Sequence, residues 1–366
     1  MKRENLVVMT WLVAMFLGCG GENENNPIGP IKVGEPAQTL QQFEQRLDEL
    51  RGQLRIPAIS ASITNGDNIV WAKAFGYADI ERQSRATPTT CFHLASLTKS
   101  FASTIIMQLV EEELINLDDP VQNYSIHLDS PGIIRVKHLL THTSEGTPGT
   151  VFRYNGGRFG LLDNVIEGAT GRTFCELLVE RIITPLGLRR TVPNLNSEDN
   201  CLLSLEERVQ FTDLANGYDS DGRSAVAYPN YFGTAAGLIS TSLEVAKYSI
   251  AIDNNMFLSQ ETQNLVFSQT RSENGTLLPY GLGWFVQRYR GVKLVWHYGW
   301  WTGNSSLIIK IPERGLTFIV LANSDMLSRG FPNIGDGDLS VSVVALEFLD
   351  AFVFGNASLP DEPVIL

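Results

Sequence analysis

Apolar positions along the chain recur with two periods, one typical of helices and one typical of strands. From about Ala37 to Leu54, leucine and phenylalanine recur every three or four residues, which predicts an amphipathic helix. Two β-rich runs follow, Pro57 to Thr64 and Asn68 to Gly76. The segment between them, Asn65-Gly66-Asp67, favours a tight hairpin turn. The first part of the fold is therefore predicted as a helix followed by a β-hairpin.

Strand patterns return near the C-terminus, after a long stretch from Ser96 to about Leu265 in which helices and loops alternate. Four apolar runs separated by glycine-containing turns predict two further hairpins: Gly281 to Arg288, Lys293 to Tyr298, Asn304 to Ile311 and Leu316 to Asn323. A last apolar run, Leu339 to Phe354, predicts a closing helix. This order predicts an α/β fold of the α+β type. In it, an antiparallel sheet built from N- and C-terminal segments is flanked by helices, with an inserted mainly helical subdomain.

The same pattern divides the chain into parts. The sheet part is expected at about 37–95 and 276–356, and the helical part at about 96–275. Residues 37–356 then form the folded domain, and 357–366 form a C-terminal tail. At 366 residues the chain is long enough to bury a large core, either as one domain or as two closely packed subdomains.

The first residues are predicted to be a targeting segment. Lys2 and Arg3 precede the apolar run Leu6 to Leu17, which is short for a membrane span. Residues 1–19 are therefore predicted to be an export signal, and Cys19, directly after Gly18, resembles a lipidation site that would become the mature N-terminus. Simple secretion and an uncleaved anchor are the alternatives. The polar residues 20–36 suit a tether, and the expected location is the bacterial cell envelope.

The net charge and the cysteine content limit which binding partners, disulfides and metal sites are expected. A net charge of −12 disfavours nucleic acid and anionic membrane surfaces, so membrane contact is expected only through the lipid anchor. Apart from Cys19, three cysteines remain, which allows at most one internal disulfide in an oxidising compartment. Cys175 with Cys201 is one conceivable pair. The spacing of cysteines and histidines does not match a metal motif.

Ser96-Leu97-Thr98-Lys99 lies where the apolar run Cys91 to Ala95 gives way to a predicted core helix. A serine in the first helical turn lies beside unpaired backbone N–H groups and the positive end of the helix dipole. Lys99 falls on the same helix face, and burial there would lower its pKa so that it can help take the serine proton. This pattern indicates serine acyl transfer. The alternative is a capping serine with a surface lysine.

Two later segments carry further candidate chemistry. Tyr154 is predicted at a loop-to-helix junction, where neighbouring cations would let it act as a general base; the alternative is a boundary tyrosine with a buried ring. His297 is predicted near the end of a strand, beside a glycine that admits a ligand to the backbone. Nearby tryptophans suit an apolar acyl pocket, and the alternative is a set of core aromatics with a hydrogen-bonded histidine. His142 is interpreted as structural, tying down its loop.

Seven short blocks occur in a fixed order along the chain: Ser96-Leu97-Thr98-Lys99, His138 to Ser144, Tyr154, Ala235 to Thr241, Tyr280-Gly281-Leu282-Gly283-Trp284, His297-Tyr298-Gly299 and Leu321 to Ser324. Together these blocks resemble the serine β-lactamase-like superfamily. Within it, the chain is similar to the branch that contains class C β-lactamases, D-alanyl-D-alanine carboxypeptidases and β-lactamase-fold esterases. The resemblance runs from about Gln41 to Phe354, which is nearly the whole mature chain.

The resemblance implies a role for each matching residue. Ser96 would form the acyl-enzyme, with Lys99 as its proton partner. Tyr154 would be the general base in acylation and would then activate water. The His297-Tyr298-Gly299 block would replace the Lys-Thr-Gly strand of true β-lactamases. The backbone N–H groups of Ser96 and Trp300 would form the oxyanion hole.

The resemblance also implies what contacts the substrate. Gly299, Asn155 and Trp301 would line the binding site, and no cofactor or metal is required. Two departures from the family pattern matter: Gly156 occupies the position of a family asparagine, and His297 lacks the permanent charge of the usual lysine. Both departures argue against efficient β-lactam hydrolysis.

The leading hypothesis is an exported serine hydrolase that forms a Ser96 acyl-enzyme on a small-molecule or peptide-like ester or amide. Esterase, D-alanyl peptidase and β-lactamase-like activities all fit this chemistry, because they differ in how one water molecule is placed. The alternative is a non-hydrolytic penicillin-binding or ligand-sensing lipoprotein with a degenerate site. Gly156 supports that alternative, whereas the set Ser96, Lys99 and Tyr154 argues against it.

Overall fold

The structure is a computed structural model that describes residues 31, 35–193, 213–331 and 333–366. The predicted export signal, Cys19, most of the predicted tether and Cys201 lie outside the described residues. The strands, in chain order, are β1 (Ala58–Asn65), β2 (Asn68–Asp79), β3 (Ser84–Arg85), β4 (Phe92–His93), β5 (Val192–Pro193), β6 (Leu238–Ser240), β7 (Phe285–Tyr289), β8 (Val292–Trp301), β9 (Asn304–Ile311), β10 (Leu316–Ala322) and β11 (Val364–Ile365).

Helices surround the sheet and make up most of the chain between β4 and β7. In chain order they are α1 (Leu40–Gln53), α2 (Thr98–Glu111), α3 (Val136–Leu140), α4 (Gly156–Gly160), α5 (Leu162–Thr170), α6 (Phe174–Leu178), α7 (Thr184–Leu186), α8 (Ser242–Asp253), α9 (Gln260–Val266), α10 (Met326–Arg329) and α11 (Val343–Phe348). A 3₁₀ turn, Ala95–Leu97, directly precedes α2. Among the described residues, none of the helices is both long and apolar enough to cross a membrane.

The main sheet has eight strands, with the order β11-β2-β1-β10-β9-β8-β7 and β3 paired to β2. Its centre joins the two ends of the chain, because β1 runs antiparallel to β10 with Ile59 opposite Ala322. The predicted antiparallel sheet from N- and C-terminal segments is confirmed. A second, three-stranded sheet has the order β4-β6-β5.

Three segments differ from the sequence prediction. The predicted tail contributes β11, which pairs in parallel with β2 at the edge of the sheet. The strand predicted from Gly281 begins only at Phe285, because Gly283 has φ +84° and leaves the extended conformation. The predicted closing helix starts late, since Ser342 is extended and its side chain caps the N-terminus of α11.

Both faces of the sheet are covered, so its central strands β1, β9 and β10 are buried along almost their whole length rather than at alternate positions. In β10, for example, Phe318 and Val320 pack in one core with α1 and α11. Ile319 and Leu321, on the opposite face, pack in a second core with α2. Successive side chains of a strand point to opposite faces, which explains the split. The sheet is therefore a buried layer between two sets of helices.

Asn323, directly after β10, links the two ends of the chain. Its side-chain oxygen accepts a hydrogen bond from the Ala58 N–H at 2.7 Å, and its amide donates to the Tyr77 carbonyl at 3.2 Å. Asn323 is fully buried. Buried backbone groups need hydrogen-bond partners, and the Asn323 side chain supplies them to Ala58 and Tyr77.

We expect Asn323→Ala to lower the free energy of unfolding by about 2–3 kcal/mol, because it leaves buried backbone groups without partners. Urea titration of the purified protein measures the change. Asn264→Ala, at an exposed position of α9, is the matched control and should change stability by less than about 0.5 kcal/mol. Equal stabilities for the two variants would contradict the role given to Asn323.

Candidate active site

The turn that carries Ser96 is held from several sides. Ala95 has φ +49°, an uncommon conformation for a residue with a side chain. Its N–H donates to His93 Nδ1 at 3.1 Å, and its carbonyl accepts from Thr98 Oγ1 at 2.8 Å. Thr98 Oγ1 also accepts from the Leu238 N–H at 3.1 Å, which ties the turn to β6. These bonds fix the backbone that presents the Ser96 hydroxyl.

Strand β8 lies against this turn at Gly299. A methyl group on Gly299 would lie 2.1 Å from the Leu94 carbonyl oxygen and 2.3 Å from Ser306 Oγ, so only glycine fits. Ser306 Oγ donates to the same Leu94 carbonyl at 2.7 Å. The structure thus gives Gly299 a steric role. Its predicted contact with substrate stays a prediction.

Lys99 reaches the Ser96 hydroxyl from the first turn of α2. Its Nζ lies 3.0 Å from Ser96 Oγ and 2.7 Å from the Ala235 carbonyl oxygen. The side chain is fully buried. Its Nζ also lies 5.2 Å from the centre of the Tyr154 ring and 5.3 Å from that of Phe159, distances at which aromatic faces stabilise a cation. Ser96, Lys99 and Tyr154 are therefore brought together.

Tyr154 sits in an aromatic cluster. Its ring centre lies 4.3 Å from His142, 5.9 Å from Phe285 and 6.2 Å from His297. Tyr298, at 5.6 Å, and Tyr280, at 6.5 Å, belong to the same cluster. Such packing holds the phenol ring in one orientation beside Lys99.

His142 anchors the loop that leads to Tyr154. Its Nδ1 accepts a hydrogen bond from the Asn155 N–H at 3.1 Å, and its carbonyl accepts from the Arg153 N–H at 2.8 Å. The residue itself has φ +54°, a strained conformation that these bonds hold in place. The structural role interpreted from the sequence matches this geometry.

His297 is fully buried and both of its ring nitrogens are used by the protein. Nδ1 donates to the Tyr298 carbonyl at 2.7 Å, so in the neutral ring Nε2 accepts from the Tyr280 hydroxyl at 2.8 Å. Burial, with a smaller contribution from the charge on Lys99, lowers the pKa of His297 to about 3. His297 is therefore neutral at physiological pH.

The remaining predicted residues lie around this centre. Asn155 caps α4, since its Oδ1 accepts from the Arg158 N–H at 2.9 Å while its amide donates to Glu145. Its contact with substrate stays a prediction. Such a contact would require the Asn155 side chain to leave Arg158 and Glu145. Trp300 is about one third exposed at the end of β8. Trp301 stacks on Tyr231 with 6.0 Å between ring centres.

Neither Tyr280 nor His93 was predicted to have a role in the site. Tyr280 is fully buried and hydrogen-bonds Nε2 of His297, and His93 fixes the Ser96 turn. Tyr280 does lie in one of the seven sequence blocks, Tyr280 to Trp284, so a signal existed. No such block marks His93, and only the fold brings it to the turn.

The sequence profile of the β-lactamase family matches residues 43–334, a range that includes every residue of this site. The chain belongs to the β-lactamase family. Penicillin-binding protein 4* of Bacillus subtilis (strain 168) is 23% identical to this family member over 316 residues, which cover 71% of the chain and 66% of that protein. The chain spans 60% to 66% of the length of the curated relatives it matches first.

Solved structures agree with this β-lactamase family assignment. An octameric penicillin-binding protein homologue from Pyrococcus abyssi superposes with a TM-score of 0.71 at 28% identity, covering 85% of this chain and 77% of that one. A D-stereospecific amidohydrolase from Streptomyces sp. superposes with a TM-score of 0.66 at 22% identity, covering 87% and 99%. The chain thus has the serine-hydrolase-type fold of the β-lactamase family.

The cysteines of this β-lactamase family member differ in state. Cys175 is disulfide-bonded, whereas Cys91 is free and buried. The conceivable partner Cys201 lies outside the described residues. Burial raises the pKa of the Cys91 thiol to about 11, so this thiol is unreactive at neutral pH.

Buried histidines make stability depend on pH. Burial lowers the pKa of His93 and His297 to about 3 and that of His138 to about 4, against about 6.5 in an unfolded chain. Below pH 6.5 the unfolded state binds protons that the folded state does not. The contribution of these histidines to the free energy of unfolding is therefore complete above pH 6.5. It falls as the pH drops toward 4, by up to about 1.4 kcal/mol per pH unit for each histidine.

We expect the free energy of unfolding, measured with urea, to be several kcal/mol lower at pH 5 than at pH 7. His138→Asn should reduce the number of protons taken up on unfolding by about one. His127→Gln, at an exposed histidine, is the control and should leave it unchanged. Equal stability of the wild type at both pH values would contradict the inference that these buried histidines are neutral in the folded protein.

Proposed function

We propose that this chain is an exported serine hydrolase that forms an acyl-enzyme on Ser96 and acts on carboxylic esters or amides. The observation that carries the proposal is the 3.0 Å contact between Lys99 Nζ and Ser96 Oγ, made by a fully buried lysine. A surface lysine beside a capping serine would not need the Ala235 carbonyl and two aromatic rings as further partners. The packing of Tyr154 beside Lys99 supports the same reaction.

In the proposed reaction, Ser96 Oγ attacks the carbonyl carbon of the substrate and its proton passes to the Lys99 and Tyr154 pair. That proton then goes to the leaving alcohol or amine as its bond to the acyl group breaks. Tyr154 next takes a proton from water, whose oxygen attacks the acyl carbon. As the bond to Ser96 Oγ breaks, the proton returns to this oxygen and the carboxylic acid is released. The backbone N–H groups of Ser96 and Trp300 are proposed to stabilise the negative oxygen of each tetrahedral intermediate.

The neutral state of His297 supports a preference for substrates without a carboxylate at this end of β8. Residues 297–301 carry no side-chain cation, and the His297 nitrogens are occupied by Tyr280 and the Tyr298 carbonyl. An uncharged imidazole offers a carboxylate no ion pair. We therefore propose simple esters and amides rather than β-lactams as the better substrates.

The names of the relatives are consistent with this range of chemistry. One is a penicillin-binding protein and another is a D-stereospecific amidohydrolase. Rapid deacylation would give an esterase or amidase, and slow deacylation would give a penicillin-binding protein.

We expect a fluorophosphonate to add once to the wild-type protein, and p-nitrophenyl butyrate to be hydrolysed, with both reactions lost in Ser96→Ala. Intact-protein mass spectrometry and absorbance measure the two results. Ser100→Ala is the matched control, because Ser100 lies one helical turn later on α2 and its hydroxyl donates to the Leu97 carbonyl at 2.8 Å. This variant should keep both reactions.

Nitrocefin and a fluorescent penicillin then separate the activities. Turnover of nitrocefin faster than that of the ester would contradict the substrate preference. A stable penicillin adduct without turnover would indicate a penicillin-binding protein. Failure of a folded wild-type sample to react with any of these probes would overturn the hydrolase proposal in favour of a binding or sensing lipoprotein.

Location at the cell envelope, through lipid on Cys19, is proposed from the segment 1–19 alone. We expect cells that express the full chain in a bacterial host to incorporate labelled palmitate into it, and Cys19→Ser to abolish the label. Autoradiography of immunoprecipitated protein measures this. A label that survives in Cys19→Ser, or is missing from the wild type, would contradict lipidation at this site.

A further inference from the structure

A cavity of about 280 Å³ lies apart from the proposed catalytic residues. It opens between the segment His138–Gly149 and the segment Leu265–Glu273, and neither Ser96 nor Lys99 lines it. Its volume equals that of about nine liquid water molecules, enough for a small organic molecule. The reaction proposed above gives this cavity no task.

One wall of the cavity carries a buried donor. His138 is 5% exposed, and its Nδ1 accepts a hydrogen bond from the Arg135 N–H at 3.1 Å. In the neutral ring the proton is therefore on Nε2. Within the described part of the chain, Nε2 has no hydrogen-bond partner. An unpaired buried donor is costly, so it points to a ligand with an acceptor group.

Charges of both signs lie around this donor. Arg271, which is exposed, lines the cavity and uses Nη1 to donate to the Gly275 carbonyl at 3.0 Å. Glu273 and His138 both lie next to Gly149. A methyl group on Gly149 would be 3.1 Å from Glu273 Oε1 and 3.3 Å from His138 Nε2. Lys137 also lines the cavity, and its Nζ is paired with Asp118 at 2.6 Å. A buried donor, two cations and a carboxylate thus line the same cavity.

Apolar surface is also present in the wall. Leu117, Leu265 and Leu282 line it from three different segments of the chain, among polar residues of the same segments: Lys137, Thr141, Thr143, Ser268, Gln269 and Thr270. Leu265 is about half exposed on α9. A ligand that matches the whole cavity needs a hydrocarbon part as well as charged groups.

We propose that this cavity binds a free α-amino acid with an aliphatic side chain. Its carboxylate would accept from His138 Nε2–H and from Arg271, its ammonium would donate to Glu273, and its side chain would pack against the three leucines. A simple carboxylic acid fits less well, because it would leave Glu273 facing a like charge. The proposal does not depend on the reaction at Ser96.

The cavity is connected to the proposed catalytic centre through α3 and the loop after it. The Thr143 N–H donates to the His138 carbonyl at 2.9 Å, and the Glu273 N–H donates to the Gly149 carbonyl at 2.9 Å. Between these points, His142 packs on Tyr154 at 4.3 Å. An amino acid in the cavity would therefore brace the loop that positions Tyr154.

The test is calorimetric titration of the full-length protein with leucine and its two single-group analogues. We expect leucine to bind with a dissociation constant of about 1 mM or lower. 4-Methylvalerate, which lacks the ammonium, and isoamylamine, which lacks the carboxylate, should each bind at least about tenfold more weakly. Equal binding of either analogue would overturn the assignment of the amino acid.

Variants locate the binding site. His138→Asn keeps an acceptor for the Arg135 N–H but removes the Nε2 donor, and it should weaken leucine binding about tenfold. Glu273→Gln should weaken it about threefold or more, whereas Glu261→Gln, at an exposed position of α9 outside the cavity, should not. Thermal unfolding of each variant reports its folding. Binding that is unchanged in folded His138→Asn and Glu273→Gln, or no heat of binding in the wild type, would overturn the proposal.

Discussion

The close approach of β8 to the Ser96 turn is the constraint on which the rest of the site depends. Gly299 has no side chain, so the strand backbone can lie against the Leu94 carbonyl, where a methyl group would overlap it. Because the strand is fixed in the sheet and the turn is fixed on α2, this contact sets the relation between the two parts of the fold. His297 and Trp300, on either side of Gly299, take their positions from the same contact.

Around that contact the protein builds a centre with one buried lysine and several neutral polar groups. Lys99 is surrounded by aromatic rings and the Ala235 carbonyl, and the nearest histidines are kept uncharged by burial. A low-dielectric surrounding strengthens each remaining electrostatic interaction. The histidines thus act as rigid hydrogen-bonding groups rather than as charges, and the Tyr298 carbonyl fixes the proton of His297 on Nδ1.

Much of this arrangement follows from sequence pattern. The hairpin at Asn65-Gly66-Asp67 and the helix after Ser96 were predictable because turn chemistry and helical period are local properties. The pairing of His297 with Tyr280 was not predictable, because the proton on an imidazole ring depends on which groups the fold brings to it. Asn155 shows the same limit: its amide type suggested substrate binding, while its place at the start of α4 gives it a capping role. The late start of the closing helix at Ser342 is also a local cap, but the apolar run across it concealed the break.

The pairing of β1 with β10 has a consequence for how the chain reaches its folded state. The two strands are separated by most of the sequence, yet they are neighbours at the centre of the sheet. During synthesis, the hairpin β1–β2 therefore exposes an unpaired edge until the last third of the chain has emerged. Closing a loop of that length is slow, so with this topology the sheet of the nascent chain stays incomplete for a long time. A chain of this kind remains open to chaperone binding throughout its translation.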